Sequence, residues 1–111
     1  MKIEKPWGYY ENLYESELTK IKNIVIYPGN RPSYQYHEKR SEKWIIASGI
    51  GKVTLNGEIF NVKYGDVVQV GIKDLHRIEN IGKDNLNFIE VQLGTYFGED
   101  DIIRVQDDYQ R

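Results

Sequence analysis

Two histidines, His37 and His76, are the only imidazoles of the chain, and each is accompanied by other residue types that bind metal ions. A histidine taken singly is more often a surface or core residue than a ligand. Gln35 and His37, however, share one face of a predicted strand. Glu42 begins the next strand, and His76 begins a strand far downstream. An amide oxygen, two imidazoles and a carboxylate suit a divalent Zn, Fe, Ni, Mn or Co ion, so the sequence predicts one metal site where three strands converge.

The elements that must position these residues are β-strands, because the apolar residues are of the β-forming kind. The chain has 14 Ile and 8 Val against 6 Leu and 1 Ala, together with 9 Tyr, 3 Phe and 2 Trp. β-branched and aromatic side chains suit a pleated sheet, whereas Ala and Leu favour helices. Asn56-Gly57, which lies between two strand-like runs, predicts a tight hairpin. Only residues 10–17 and the tail after Gly98 have a helical tendency, and it is weak.

Turn residues divide the chain into short strands at regular spacing, which is typical of a β-sandwich or a barrel. The predicted strands span residues 21–27, 33–37, 42–48, 52–55, 58–62, 66–70, 75–80 and 87–93.

The overall composition excludes several classes of function. Lys and Arg number 15 against 17 Asp and Glu, a net charge of −2, which gives no support to a nucleic-acid binder that neutralises phosphates. The absence of cysteine excludes disulfides, thiolate nucleophiles and Cys-ligated zinc. The first ten residues contain no apolar signal segment, and no run approaches the roughly 20 apolar residues of a membrane span. We therefore expect a single-domain cytoplasmic protein with no membrane partner.

The spacing around the histidines resembles the two motifs of the cupin superfamily. The first motif matches as Gly29-x5-Gln35-x-His37-x4-Glu42-x6-Gly49, with Gln in place of its first His, and the second matches as Gly65-x10-His76-x3-Asn80. The second departs from the family pattern at Gly71 and Lys73, where a Pro and a Gly are usual.

The cupin resemblance implies an all-β fold, a cupin-type double-stranded β-helix or jelly-roll barrel, formed by a single domain over residues 1–111. The barrel core is expected at about residues 20–94, between an N-terminal extension 1–19 and a C-terminal tail 95–111. The resemblance also implies that the metal ligands are Gln35, His37, Glu42 and His76.

A narrower resemblance is to the cupin domain of type II mannose-6-phosphate isomerases, and it covers about Lys5 to Arg111. The matching segments are Lys5-Pro6-Trp7-Gly8, Gln35-x-His37-x-x-Arg40-Ser41-Glu42-x-Trp44, and Gly98-Glu99-Asp100-Asp101-Ile102-x-Arg104 with Asp107-Asp108-Tyr109. The chain departs from the family pattern at Pro32, Glu38, Lys39, Lys43 and Gln110. None of these departures touches the presumed ligands, so they bear on the identity of the substrate. The family's domain often follows a guanylyltransferase in bacteria, and this chain has no such segment, so we expect no nucleotidyl transfer from it.

The resemblance implies an isomerase that interconverts mannose-6-phosphate and fructose-6-phosphate. Such a reaction moves a proton between adjacent carbons through a cis-enediol, and a divalent metal with an open coordination position stabilises the charge on the substrate oxygens. A general acid/base must lie within reach of that proton. Glu90 is the candidate catalytic residue if its strand points it inward together with Gln92. The opposite register of that strand is equally open from the sequence.

A sugar phosphate also needs cationic side chains, because Arg binds phosphate through two parallel hydrogen bonds and Lys supplies a point charge. The candidates for substrate binding are Arg31, Arg40, Lys43 and Arg104, with Ser33 as a hydroxyl donor. Arg104 is the first choice for a substrate-binding and catalytic role, since the resemblance places an Arg there. A surface salt bridge from Arg104 to Asp100, Asp101 or Asp107 is an equally open alternative.

Two other functions stay open at the level of sequence, because one fold hosts many activities. The first is an enzyme on the same scaffold that acts on another sugar or on a nucleotide-sugar. The second is a module that binds metal or sugar without turnover. In each case the partner is a small molecule, and the strand edges of so small a domain favour a symmetric homodimer.

Overall fold

Eleven β-strands make up almost all of the regular structure in residues 1–109, which the computed structural model describes. The strands are β1 (Lys2–Lys5), β2 (Gly8–Glu15), β3 (Thr19–Ile26), β4 (Tyr34–Tyr36), β5 (Arg40–Ser48), β6 (Gly51–Leu55), β7 (Glu58–Val62), β8 (Val67–Val70), β9 (His76–Asn80), β10 (Leu86–Gly94) and β11 (Ile103–Gln106). A single 3-10 turn, Glu99–Asp101, precedes β11. The all-β prediction is confirmed. Of the predicted tail, Gln110 and Arg111 lie outside the described residues.

The strands form two antiparallel sheets, and strands that are distant in sequence pair within each of them. One sheet has six strands in the order β1-β2-β3-β10-β5-β8, and the other has five in the order β11-β4-β9-β6-β7. Strands β4 and β9 are therefore neighbours, although 39 residues of the chain lie between the end of β4 at Tyr36 and the start of β9 at His76. His37 directly follows β4, and His76 is the first residue of β9.

 The register of β4 and β9 pairs Gln35 directly with His76. This pairing, rather than closeness along the chain, brings the two halves of the predicted metal site together.

Alternation along each strand separates a buried inner face from an outer face. In β5, Glu42, Trp44 and Ile46 are buried, whereas Lys43 and Ile45 between them are exposed. Successive side chains of a strand point to opposite faces, so the inner face holds both the core and the functional residues. The hydrophobic core combines both sheets and consists of Trp7, Ile24, Ile26, Trp44, Ile46, Val53, Val62, Val68, Val70, Ile78, Leu86 and Phe88.

The hairpin predicted at Asn56-Gly57 is confirmed. Both residues have positive φ angles, 49° and 84°, and they connect the antiparallel strands β6 and β7. Positive φ at both central positions is the requirement of the type I′ turn, which Asn and Gly meet at low cost.

The weak helical expectation for residues 10–17 is wrong, because this segment forms most of β2. Tyr10 pairs with Ile24 of β3, and a β-bulge lies between Asn12 and Tyr14. Sheet pairing and the packing of Tyr10 against the core outweigh the local helical tendency.

The tail after Gly98 is helical only over the single turn Glu99–Asp101 and then continues as β11. Strand β11 pairs with β4, with Arg104 opposite Gln35. The tail therefore belongs to the sheet that carries Gln35 and His76. Within residues 1–109 no helix is long and apolar enough to cross a membrane.

Candidate metal centre and its cavity

Three predicted ligands, His37, Glu42 and His76, converge in the interior. His37 follows β4, Glu42 lies near the start of β5, and His76 is the first residue of β9. One ligand atom from each residue lies within 4.8 Å of the others, and each residue is only 2% exposed. The structure thus brings together side chains from both sheets into a group that can hold a metal ion.

Main-chain carbonyl oxygens determine which nitrogen of each imidazole carries the proton. His37 Nδ1 donates to the oxygen of Asp101 at 3.1 Å, and His76 Nδ1 donates to the oxygen of Asp74 at 2.9 Å. A carbonyl oxygen can only accept, so in the neutral rings the lone pair lies on Nε2. Histidine ligands of metals commonly donate their other ring N–H in this way.

The Glu42 carboxylate lies between the two Nε2 atoms. Its Oε2 is 3.1 Å from His37 Nε2, its Oε1 is 4.0 Å from His76 Nε2, and Trp44 Nε1 donates to Oε1 at 2.9 Å. Burial by itself raises the pKa of Glu42, but its neighbours His37, His76 and Arg40 together outweigh it, so the pKa lies well below its ordinary value. Glu42 is therefore an anion in the interior.

Arg40 supplies positive charge to this group. Its Nη2 lies 2.9 Å from Glu42 Oε2 and donates to His37 Nε2 at 3.3 Å. Arg40 is buried, so its guanidinium contributes to the metal centre rather than to the outer surface. The predicted substrate-binding role for Arg40 stays a prediction, although the residue also lines the cavity described below.

The donor set fits a divalent cation. His76 Nε2 is buried and has no hydrogen-bond partner among residues 1–109, although a buried acceptor normally has one. Burial lowers the pKa of His76, which favours the neutral imidazole that binds metals. The Nε2 lone pairs of His37 and His76 and the carboxylate of Glu42 lie close together, and a cation bound between them would be stabilised by all three.

Gln35, the fourth predicted ligand, lies beside His76 as its register partner on β4. Its Oε1 accepts a hydrogen bond from Ser33 Oγ at 3.2 Å, and both residues line a cavity next to the cluster. Ser33 is almost fully buried. Gln35 and Ser33 thus both lie on the inner side of the barrel, and their ligand and substrate-binding roles stay predictions.

The cavity that adjoins the cluster has a mostly cationic charged lining. Its charged residues are Lys5, Lys22, Arg40, Arg77, Arg104, Glu90 and Glu99, and its apolar walls include Trp7, Trp44 and Phe88. Five basic side chains against two carboxyl groups favour an anionic ligand.

Glu90 points inward, which decides between the two registers left open by the sequence. It lies in one row with its register partners Lys22 and Trp44, and Gln92 Nε2 donates to its Oε2 at 2.7 Å. Burial and the negative charge of Glu42 raise the pKa of Glu90 to about 8. Glu90 is therefore mostly protonated near neutral pH, with a minor ionised fraction that can accept a proton.

Arg104 lines the cavity, whereas two other predicted phosphate ligands do not. None of the ion pairs found in residues 1–109 involves Arg104, so the alternative of a surface salt bridge is not what the structure contains. Arg31 instead binds both carboxylate oxygens of Asp108, at 2.8 and 3.2 Å. Lys43 is exposed on the outer face of β5, because it is adjacent to the inward-pointing Glu42.

The residues of this region that sequence reasoning missed include Lys22 and Asp101. Lys22 had a usable signal, because it shares the inner face of β3 with Ile24 and Ile26, where a lysine is unusual. Asp101 had none, since the atoms that it contacts belong to residues 62 to 64 positions away in the chain.

Comparisons with known proteins agree with this geometry. The family model described as "Mannose-6-phosphate isomerase C-terminal" matches residues 1–107. A "Mannose-1-phosphate guanylyltransferase" from Salmonella montevideo is 39% identical over 109 residues, which is 98% of this chain and 23% of that protein. The chain thus spans about a quarter of the length of the curated relatives that it matches.

Solved structures resemble the fold at low sequence identity. The Cnp3 cupin domain of Schizosaccharomyces pombe has a TM-score of 0.75 and 20% identity, covering 78% of this chain and 64% of that one. An oxalate decarboxylase of Bacillus subtilis, studied for its Mn(II) centres, has a TM-score of 0.80 and 23% identity, covering 94% of this chain and 29% of that one. The predicted cupin-type fold is confirmed.

Proposed function

We propose, from the premise that this chain belongs to the family of mannose-6-phosphate isomerase C-terminal domains, that it is a metal-dependent isomerase that interconverts mannose-6-phosphate and fructose-6-phosphate. The observation that carries the proposal is the convergence of His37, Glu42 and His76 beside a cavity that also contains Glu90. A metal centre, a group able to move a proton and a cationic wall are the three parts that this reaction needs.

His37, Glu42 and His76 would hold the divalent cation, with Gln35 beside them. When bound, the cation supplies positive charge that stabilises the negative charge developing on the substrate oxygens. Arg40 already donates to Glu42 and His37, so it keeps the carboxylate oriented toward the imidazoles.

Glu90, in its ionised form, takes the proton from one carbon atom of the substrate and returns it to the adjacent carbon atom. Its pKa of about 8 lies close to neutral pH, where a general acid/base works best. Gln92 donates to one of its oxygens and so orients the carboxyl group within the cavity.

The phosphate of the substrate binds to cationic side chains of the cavity. Arg104 of β11 and Lys22 of β3 line it from different sheets, and none of the ion pairs in the described part of the chain occupies either of them. A dianion between these side chains meets charges on two sides.

The test is a coupled assay of mannose-6-phosphate turnover with the chain as wild type, after removal of metal by a chelator, and after reloading with Zn, Mn or Co. We expect turnover that chelation abolishes and reloading restores. A His37→Ala/His76→Ala variant is the matched control and should stay inactive after reloading. Turnover of another sugar or nucleotide-sugar only, or tight binding of a sugar phosphate without product, would instead identify a related enzyme or a binding module.

A further inference from the structure

The C-terminal tail contacts the candidate metal centre through a single short turn. Asp101 ends the 3-10 turn Glu99–Asp101 and is buried, whereas Asp100 beside it is exposed. The main-chain oxygen of Asp101 accepts the hydrogen bond from His37 Nδ1 at 3.1 Å. The tail therefore favours the form of His37 that carries its proton on Nδ1.

The side chain of Asp101 holds this turn against the segment that follows His37. Its Oδ1 accepts from the main-chain nitrogen of Glu38 at 3.1 Å, and its Oδ2 accepts from that of Lys39 at 3.0 Å. Each oxygen thus has its own donor, and these contacts restrain the carboxylate to one orientation. Loss of either contact would leave the main-chain N–H of Glu38 or of Lys39 without its Asp101 acceptor, which is unfavourable.

We propose that Asp101 is the positioning residue for His37: its carboxylate anchors the turn whose carbonyl oxygen keeps His37 in the Nδ1–H form, with Nε2 directed at the cation. The proposal rests on the metal centre of the proposed function and deepens it. Outer partners that orient a histidine ligand typically change metal affinity by about 10- to 100-fold when they are lost.

The same tail segment also reaches the cavity. Glu99, Ile102 and Arg104 line the cavity, and Asp101 between them contacts His37. The segment that contacts His37 therefore also forms part of the cavity wall.

The first measurement needs no metal, because the chain has only two histidines. The ¹⁵N chemical shifts of the imidazoles in metal-free protein at pH 8 report which ring nitrogen is protonated. We expect the Nδ1–H form for His37 in the wild type and a mixture of both forms in Asp101→Asn, whose amide nitrogen cannot accept from a main-chain N–H. His76 is the internal reference, since its Nδ1 donates to the oxygen of Asp74 instead.

The second measurement is a calorimetric titration with Co²⁺. We expect Asp101→Asn to bind about 10- to 100-fold more weakly than the wild type. Asp100→Asn is the matched control, because it removes the same charge from the same turn while its carboxylate contacts only the Tyr96 hydroxyl among the side-chain bonds of the described residues. Asp101→Glu, which keeps both acceptor oxygens but moves them by one methylene group, is the second variant if Asp101→Asn does not fold, and its effect should be smaller than that expected for Asp101→Asn.

The outcomes separate this proposal from the proposed function. A wild type that binds Co²⁺, with an unchanged His37 tautomer and unchanged affinity in the Asp101 variants, would overturn the positioning role and leave the metal centre intact. A wild type that binds no Co²⁺ would overturn the metal centre and, with it, this proposal.

Discussion

Arg40 and Glu42 form an ion pair in the interior of the barrel, with Arg40 Nε and Nη2 at 3.0 and 2.9 Å from Glu42 Oε2. Removal of one partner of a buried pair leaves the other charge uncompensated, at a cost of about 3–5 kcal/mol. We expect Arg40→Met to lower the free energy of unfolding of the metal-free protein by about this amount, measured by urea denaturation. The control is Arg31→Met, which removes a more exposed pair with Asp108 and should cost about 1 kcal/mol or less.

A cation bound at Glu42 would replace part of the charge that Arg40 supplies. Co²⁺ should therefore raise the melting temperature of Arg40→Met more than that of the wild type, as a ligand stabilises the state that binds it. An equal rise in both proteins would mean that the cation does not act on Glu42.

Metal binding should depend on His37 and His76 together, since the chain offers no other imidazole. His37→Ala/His76→Ala should lose the tight binding of Co²⁺ in a calorimetric titration. Protons compete for the neutral imidazole, so the affinity of the wild type should fall as the pH drops through about 6.5 and below. Because the pKa of His76 is lowered, protonation of His76 should weaken metal binding only at a more acidic pH. Tight binding by the double variant would place the site elsewhere.

Glu90 should make the stability of the metal-free protein depend on pH. Its pKa is raised from 4.5 to about 8, so between these values the folded state retains a proton that the unfolded state has released. The free energy of unfolding must then fall as pH rises through this window, by at most about 1.4 kcal/mol per unit. Glu90→Gln cannot titrate, so its stability relative to the wild type should increase from pH 5 to pH 8 in urea unfolding. Parallel pH profiles of the two proteins would contradict this.

Arg104 should matter for turnover and little for folding. Arg104→Ala removes a cation from the cavity wall, and we expect kcat/KM for mannose-6-phosphate to fall about 30- to 1000-fold with metal content unchanged. Arg104→Lys should recover only part of this, because a point charge cannot reproduce two parallel hydrogen bonds. Lys43→Ala, on the outer face of β5, is the control and should leave kcat/KM unchanged. Equal kcat/KM in wild type and Arg104→Ala would exclude a role in substrate binding.

Local patterns in the sequence were sufficient for the fold class, the Asn56-Gly57 hairpin and three members of the metal cluster. Composition and turn chemistry act between near neighbours, and the spacing of His37 and Glu42 puts the first just after β4 and the second near the start of β5, the next strand in the chain. The alternation of side chains along a strand could also have excluded Lys43 from the substrate-binding candidates, since a residue next to an inward-pointing Glu42 must point outward.

Only the tertiary structure decided what depends on pairing between distant strands. Glu90 faces the cavity because of the register of β10 with β3 and β5, and residues 10–15 form a strand because β3 pairs with them. The contact between Asp101 and His37 joins residues 64 positions apart. No local pattern encodes such a contact, because it exists only once both sheets are assembled and the tail has paired with β4.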